Sequence, residues 1–173
     1  QTCALPILRC VPLFSEDGKR HCGHVGGIAI HDGWLWIGGD SVYRIPLKAI
    51  LDNDGLDAKV PIETAFKAIC DASFVACYKD GLWVGEFVDV ADRKYPGCTK
   101  PSIKDRSGEP IRAWLAGYVL DADGTPKLGN GEHKGGVIPD MLVAIPEKTQ
   151  GLAFCDARLV MSMSHGVRNP SLL

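Results

Sequence analysis

The feature that most limits what this chain can become is a hairpin signal that occurs three times. Residues 28–31, Ile-Ala-Ile-His, are followed by Asp32-Gly33 and then by the run Trp-Leu-Trp-Ile at 34–37. Successive strand side chains face opposite ways, so Ile28 and Ile30 share one face and Ala29 and His31 the other. Asp-Gly supplies the positive φ that a two-residue primed turn requires. The unbroken run at 34–37 suits a strand covered on both faces. Gly38-Gly39-Asp40 ends it, and residues 41–45 alternate again up to Pro46, which lacks a backbone donor and marks an edge or an end.

Degraded copies of this layout return downstream. Residues 73–87 read S-F-V-A-C-Y, a K-D-G turn, then L-W-V-G-E-F; residues 150–162 read Q-G-L-A-F, a C-D-A-R turn, then L-V-M-S. Aligning the turns sets Trp83-Val84-Gly85 on Trp36-Ile37-Gly38. Ala29, Ala76 and Ala153 then fall in register, 47 and 77 residues apart. The longer interval holds a polar insertion at 88–112, expected to be a solvated loop.

A period of about 40 to 50 residues with about four short strands each is what a propeller blade needs, and each sheet needs neighbours to bury its faces. The expected fold is therefore all-β: a partial β-propeller of about three blades, at roughly 24–70, 71–147 and a truncated 148–173, each of up to four antiparallel strands. Ile28, Phe74 and Leu152 would begin equivalent innermost strands about a common axis. A partial ring leaves two sheet faces bare, so such a chain is expected to aggregate.

The ends are read separately. Q-T-C-A-L-P-I at 1–7 resembles one reading frame of a short-read sequencing adapter and no Met precedes it, so these residues are set aside as an adapter-derived scar. A natural apolar strand is the alternative. Residues 8–23 then form a loop ahead of the repeats. On this reading the true start, with any signal peptide, is missing, and the end at 169–173 is cut too.

With Cys3 set aside, six cysteines remain: Cys10, Cys22, Cys70, Cys77, Cys98 and Cys155. An even count in a loop-rich β chain favours an oxidising compartment, hence a secreted or periplasmic location. Cys10 with Cys22 would close the polar loop at 15–20, and Cys70 with Cys98 the second copy's first hairpin. Buried free thiols are the alternative. A net charge of −2 gives no footprint for nucleic acid or an anionic membrane, and no apolar run approaches the ~18 residues of a membrane span.

No motif carries a reaction. The D-x-D-G patterns at 52–55 and 121–124 fail as calcium loops, because Ile50, Pro61 and Val119 fall where ligands are required. Both read as turns, the first closing a short helical turn at 49–57. The glycine-rich stretch at 129–136 lacks a Gly-Lys-Ser/Thr ending and reads as a mobile turn. Ser162, Ser164 and His165 lack a G-x-S-x-G frame. His21, Cys22 and His24 offer three donors in four residues, but a metal site needs convergence, and a disulfide would consume Cys22.

What remains is positional. The residues leading into each innermost strand, namely His24, Asp71 with Ser73, and Thr149 with Gln150, would crowd one mouth of the ring, where a pocket is the default. The candidate ligand-binding set is His24, Ser73, Glu86 and Gln150. The competing use is satisfaction of backbone groups at turns and strand ends.

The run H-x-G-G-I-A-I, D-G-W-L-W-I, A-S-F…D-G-L-W-V-G-E-F, T-Q-G-L-A-F…R-L-V-M-S-M-S-H-G resembles a group of bacterial secreted β-propeller proteins of unassigned function. The resemblance covers 24–168 apart from the insertion. More distantly it is similar to six-bladed propellers of the gluconolactonase and NHL-repeat kind. It implies export and a small-molecule or protein partner at the channel mouth or loop face; the sequence itself requires no cofactor and leaves its identity unknown, a divalent metal entering only under the alternative below. Lactonase relatives hold a divalent metal with Glu, Asn and Asp. The alternative function is thus a metal-dependent hydrolase with His24 or Glu86 beside calcium or zinc, although no such triad matches here residue by residue.

Overall fold

The computed structural model describes residues 10–53, 57–92, 94–97, 103–127, 131–133, 135–156 and 158–164. Cys98, Asp54-Gly55, His165 and the two chain ends therefore lie outside the described residues.

In chain order the elements are β1 (Leu13–Phe14), β2 (Gly27–His31), β3 (Trp34–Gly38), β4 (Val42–Pro46), α1 (Leu47–Leu51), β5 (Val60–Pro61) and β6 (Glu63–Phe66). They continue with β7 (Phe74–Tyr78), β8 (Gly81–Gly85), β9 (Trp114–Val119), β10 (Glu132–His133), β11 (Gly136–Val137), β12 (Met141–Ala144), β13 (Thr149–Cys155) and β14 (Arg158–Met163). The described chain is thus mostly β, in several antiparallel sheets. A first sheet runs β2-β3-β4-β6, a second β7-β8-β9-β12, and a third pairs β13 with β14.

The three repeated hairpins all enter their turns through left-handed backbone. Asp32 and Gly33 lie at φ 45° and 76°, Lys79 at 53° and Asp156 at 47°. Left-handed backbone at the first turn residue matches the twist of the flanking strands, which is why primed turns connect two-residue hairpins. The strands they join pair at corresponding positions: Ala29 lies opposite Trp36, Ala76 opposite Trp83 and Ala153 opposite Val160. A small residue on the first strand of each hairpin leaves the sheet face to the large one across from it.

β7 packs between β2 and β13, so the three hairpin-opening strands lie side by side although each belongs to a different sheet. Two cores result. Trp36, Val42 and Phe66 of the first sheet meet Leu82, Val84, Ala116 and Tyr118 of the second. On the far side of the second sheet, Phe74, Leu115 and Ile145 are packed by Leu152, Leu159 and Met161 of the third. Each fully buried aliphatic side chain contributes about 1.5–3 kcal/mol. Between the first two sheets the Tyr118 hydroxyl accepts from the Ile69 N–H at 3.1 Å and donates to the Val137 carbonyl at 3.2 Å, so its polar tip is matched inside the core.

Four expectations need correction. The helix is α1, Leu47–Leu51, earlier than 49–57, because β4 runs straight into it at Pro46, whose fixed φ suits a helix start. Within the glycine-rich stretch, where only a turn was expected, Glu132 pairs with Val137 and His133 with Gly136 in a short ladder. The insertion is not wholly solvated: Val88 and Asp89 are buried. Cys10 and Cys22 are both free and exposed, and so is Cys155. Bracketing a polar loop sets sequence separation, whereas a disulfide needs Cβ atoms about 4 Å apart and pointing at one another.

Burial, with the Asp32 carboxylate second, pushes the Cys77 thiol up to about 12. Only the thiolate attacks disulfide reagents. At pH 8, Ellman's reagent is expected to titrate Cys10, Cys22 and Cys155 rapidly and Cys77 only after denaturation. Equal rates for Cys77 and Cys155, followed by peptide mapping, would contradict the fold at β7.

Candidate functional site

The approach to β2 lies against the approach to β7 because glycines leave room for it. A Cβ on Gly26 would sit 1.9 Å from the Ser73 carbonyl oxygen, and one on Gly38 2.6 Å from that of Ala72. One on Gly39 would sit 2.7 Å from the carbonyl oxygen of His24. The glycines flanking the first hairpin therefore let residues 24–26 and 72–73 pass within backbone contact. The Ser73 N–H is fixed by the carbonyls of Asp71 and Gly85, at 3.0 and 2.9 Å.

Gln150 arrives by a different device. Thr149 pairs with Met163 and Gly151 with Ser162, so Gln150 is the extra residue of a β-bulge in β13. Bulges re-aim side chains and are frequent beside functional sites. Its side-chain N–H donates to the Ser164 carbonyl at 3.2 Å. Neighbouring Thr149 is fully buried with its hydroxyl on the Pro146 carbonyl at 2.8 Å, which makes it a structural residue.

Together His24, Ser73 and Gln150, one from each repeat, line an open depression of about 640 Å³ with Val25, Gly26, Phe74, Phe87, Asp92 and Tyr95. The last three come from the chain following β8, which in sequence is only the edge of a polar insertion. That segment is folded around Asp89. The Asp89 carboxylate accepts the Ala91 N–H at 3.1 Å and lies 3.9 Å from the Lys148 ammonium. Its N–H donates to the Tyr95 carbonyl, and the Tyr95 N–H to that of Asp92, each at 3.0 Å. The Phe87 and Tyr95 rings meet edge to face at 5.2 Å, forming an aromatic wall.

Glu86 does not join this set. It is buried and lines a second depression of about 340 Å³ with Asp40, Lys67, Cys70 and Asp71. Ala72 and Glu86 line the second depression while Ser73 and Phe87 line the first, as expected of adjacent residues on extended chain.

The His21 ring, one of the donors at 21–24, packs edge-on against Tyr43 at 5.1 Å. Among the described residues no group of three or more His, Cys, Asp or Glu side chains is placed to hold an ion. Nor is any helix among the described residues long and apolar enough to cross a membrane.

No family model, curated protein or solved structure matches the chain. The chemistry of the depression rests on its own residues.

Proposed function

We propose that this chain is part of a secreted β-propeller that works as a binding protein, taking up a small molecule at the mouth where β2, β7 and β13 begin. The observation that carries this reading is the convergence on one depression of His24, Ser73 and Gln150, which lie just ahead of or at the start of the first strands of three repeats. Three further features support it. Two four-stranded antiparallel meanders are followed by a hairpin in the same register, with the leading strands side by side. The depression is within the 300–1,000 Å³ usual for ligand pockets. Its lining combines an aromatic wall with an imidazole, a hydroxyl, a carboxylate and an amide, which together suit a compact molecule bearing hydroxyl or amide groups on one apolar face.

Saturation-transfer NMR against a panel of mono- and disaccharides and small aromatic amides tests the proposal. Gln150→Ala and Tyr95→Ala are expected to weaken a panel binder at least tenfold each, about 1.4 kcal/mol, without altering the far-ultraviolet circular dichroism. A panel without a binder, or a binder indifferent to both substitutions, would remove the reading.

A further inference from the structure

The two interfaces inside this chain are one interface used twice. In the first, the face of the first sheet that carries Ala29 and Trp36 packs on the face of the second that carries Val75 and Val84. In the second, the Trp83 face of the second sheet packs on the Leu152 and Met161 face of the third. By register, Ile28 and Ile37 correspond to Val75 and Val84 and to Leu152 and Met161, whereas Ala29 and Trp36 correspond to Ala153 and Val160. Every sheet therefore has a front and a back, and the stack proceeds in one sense.

Among the described residues, no further sheet covers one front and one back. On the first sheet, Ile28 and Ile30 are 63% and 59% exposed. Within the stack, their counterparts are covered: Val75 is buried, and Phe154, the counterpart of Ile30, stacks on Tyr78 at 4.6 Å. Val11, Leu13, Val60 and Ile62 pack on Ile37 and Ile45, and among the described residues this cluster includes none from β2. On the third sheet, Val160 is 41% exposed and Ala153 opposite it is exposed too.

We propose that these faces join copies of this chain head to tail, the Val160 face of one copy seating on the Ile28 and Ile30 face of the next. The argument is continuity: the chain already makes this junction twice, with aliphatic side chains of one sheet laid over a small residue and a large one of its neighbour. The contact is heterologous, so it closes into a ring if the rotation per sheet permits and otherwise propagates.

Size-exclusion chromatography with light scattering on three chains tests this. The unsubstituted chain is expected to run as a dimer or larger species that dissociates on dilution. Ile28→Glu with Ile30→Glu removes one half of the junction, and Val160→Glu removes the other, so each variant alone is expected to be monomeric. An equimolar mixture of the two is expected to recover a 1:1 dimer, because one intact half remains on each chain. Recovery in the mixture also shows both variants to be folded; should circular dichroism show either to be unfolded, Ile28→Thr with Ile30→Thr and Val160→Thr replace them. An unsubstituted chain that stays monomeric at its highest soluble concentration, variants that still self-associate, or a mixture of folded variants that gives no dimer would each overturn the proposal.

Discussion

Replacing Trp36 with alanine is expected to cost about 3–5 kcal/mol of folding free energy, the range for truncating a fully buried large aromatic side chain. Trp36 has no exposed surface and stands in the core between the first and second sheets, with Val42 and Phe66 beside it and Leu82 and Val84 across from it. Its strand neighbour on that face is Ala29, too small to fill the vacated volume. The indole N–H has no hydrogen-bond partner among the described residues. Trp36→Phe should therefore shed an unmatched polar group while losing part of the packing, at a cost of less than about 2 kcal/mol. Urea unfolding followed by circular dichroism measures both. A Trp36→Ala cost below about 1 kcal/mol, or a Trp36→Phe cost equal to it, would mean that the two sheets do not share this core.

The hairpins were legible because a turn and its strands are local. Asp32-Gly33 demands left-handed backbone, and period-two alternation on either side fixes the register that sets Ala29 against Trp36. The alignment of Trp83 on Trp36 carries over to the pairing of Ala76 with Trp83 for the same reason. His24, Ser73 and Gln150 were picked out as residues leading into successive first strands, and they line one depression. Glu86 is off by one strand position, and in extended chain one residue reverses the face.

What was not legible depends on distant partners. Asp89 reads in sequence as one more charge in a polar insertion, yet it is buried, and its ion-pair partner Lys148 lies far along the chain. Because Asp89 folds the segment that carries Asp92 and Tyr95, the aromatic wall is invisible without it. Gln150 is similar: its placement in the depression rests on a bulge, an irregularity of pairing with β14 that Lys-Thr-Gln-Gly does not announce.

Gly26→Ala is expected to destabilise the fold by about 3 kcal/mol, through close packing rather than through backbone strain. The added carbon would sit 1.9 Å from the Ser73 carbonyl oxygen and 2.7 Å from its carbonyl carbon. Both obstacles are backbone, so no rotamer change relieves the overlap and one strand approach must withdraw from the other. Gly33→Ala provides the opposite control. An added methyl carbon on Gly33 would meet nothing within 4 Å, but the residue lies at φ 76°, so alanine there costs only the left-handed conformation, about 1–2 kcal/mol. Withdrawal at Gly26 would also part His24 from Ser73, so the Gly26 variant should lose any panel ligand at least tenfold, about 1.4 kcal/mol, while the Gly33 variant, altered at the far end of the hairpin, retains it. Denaturation midpoints and NMR titrations of the two variants separate the effects. Equal stability and equal binding in both would mean that β2 and β7 do not approach at Gly26, and the depression would lose the contact that brings its first two repeats together.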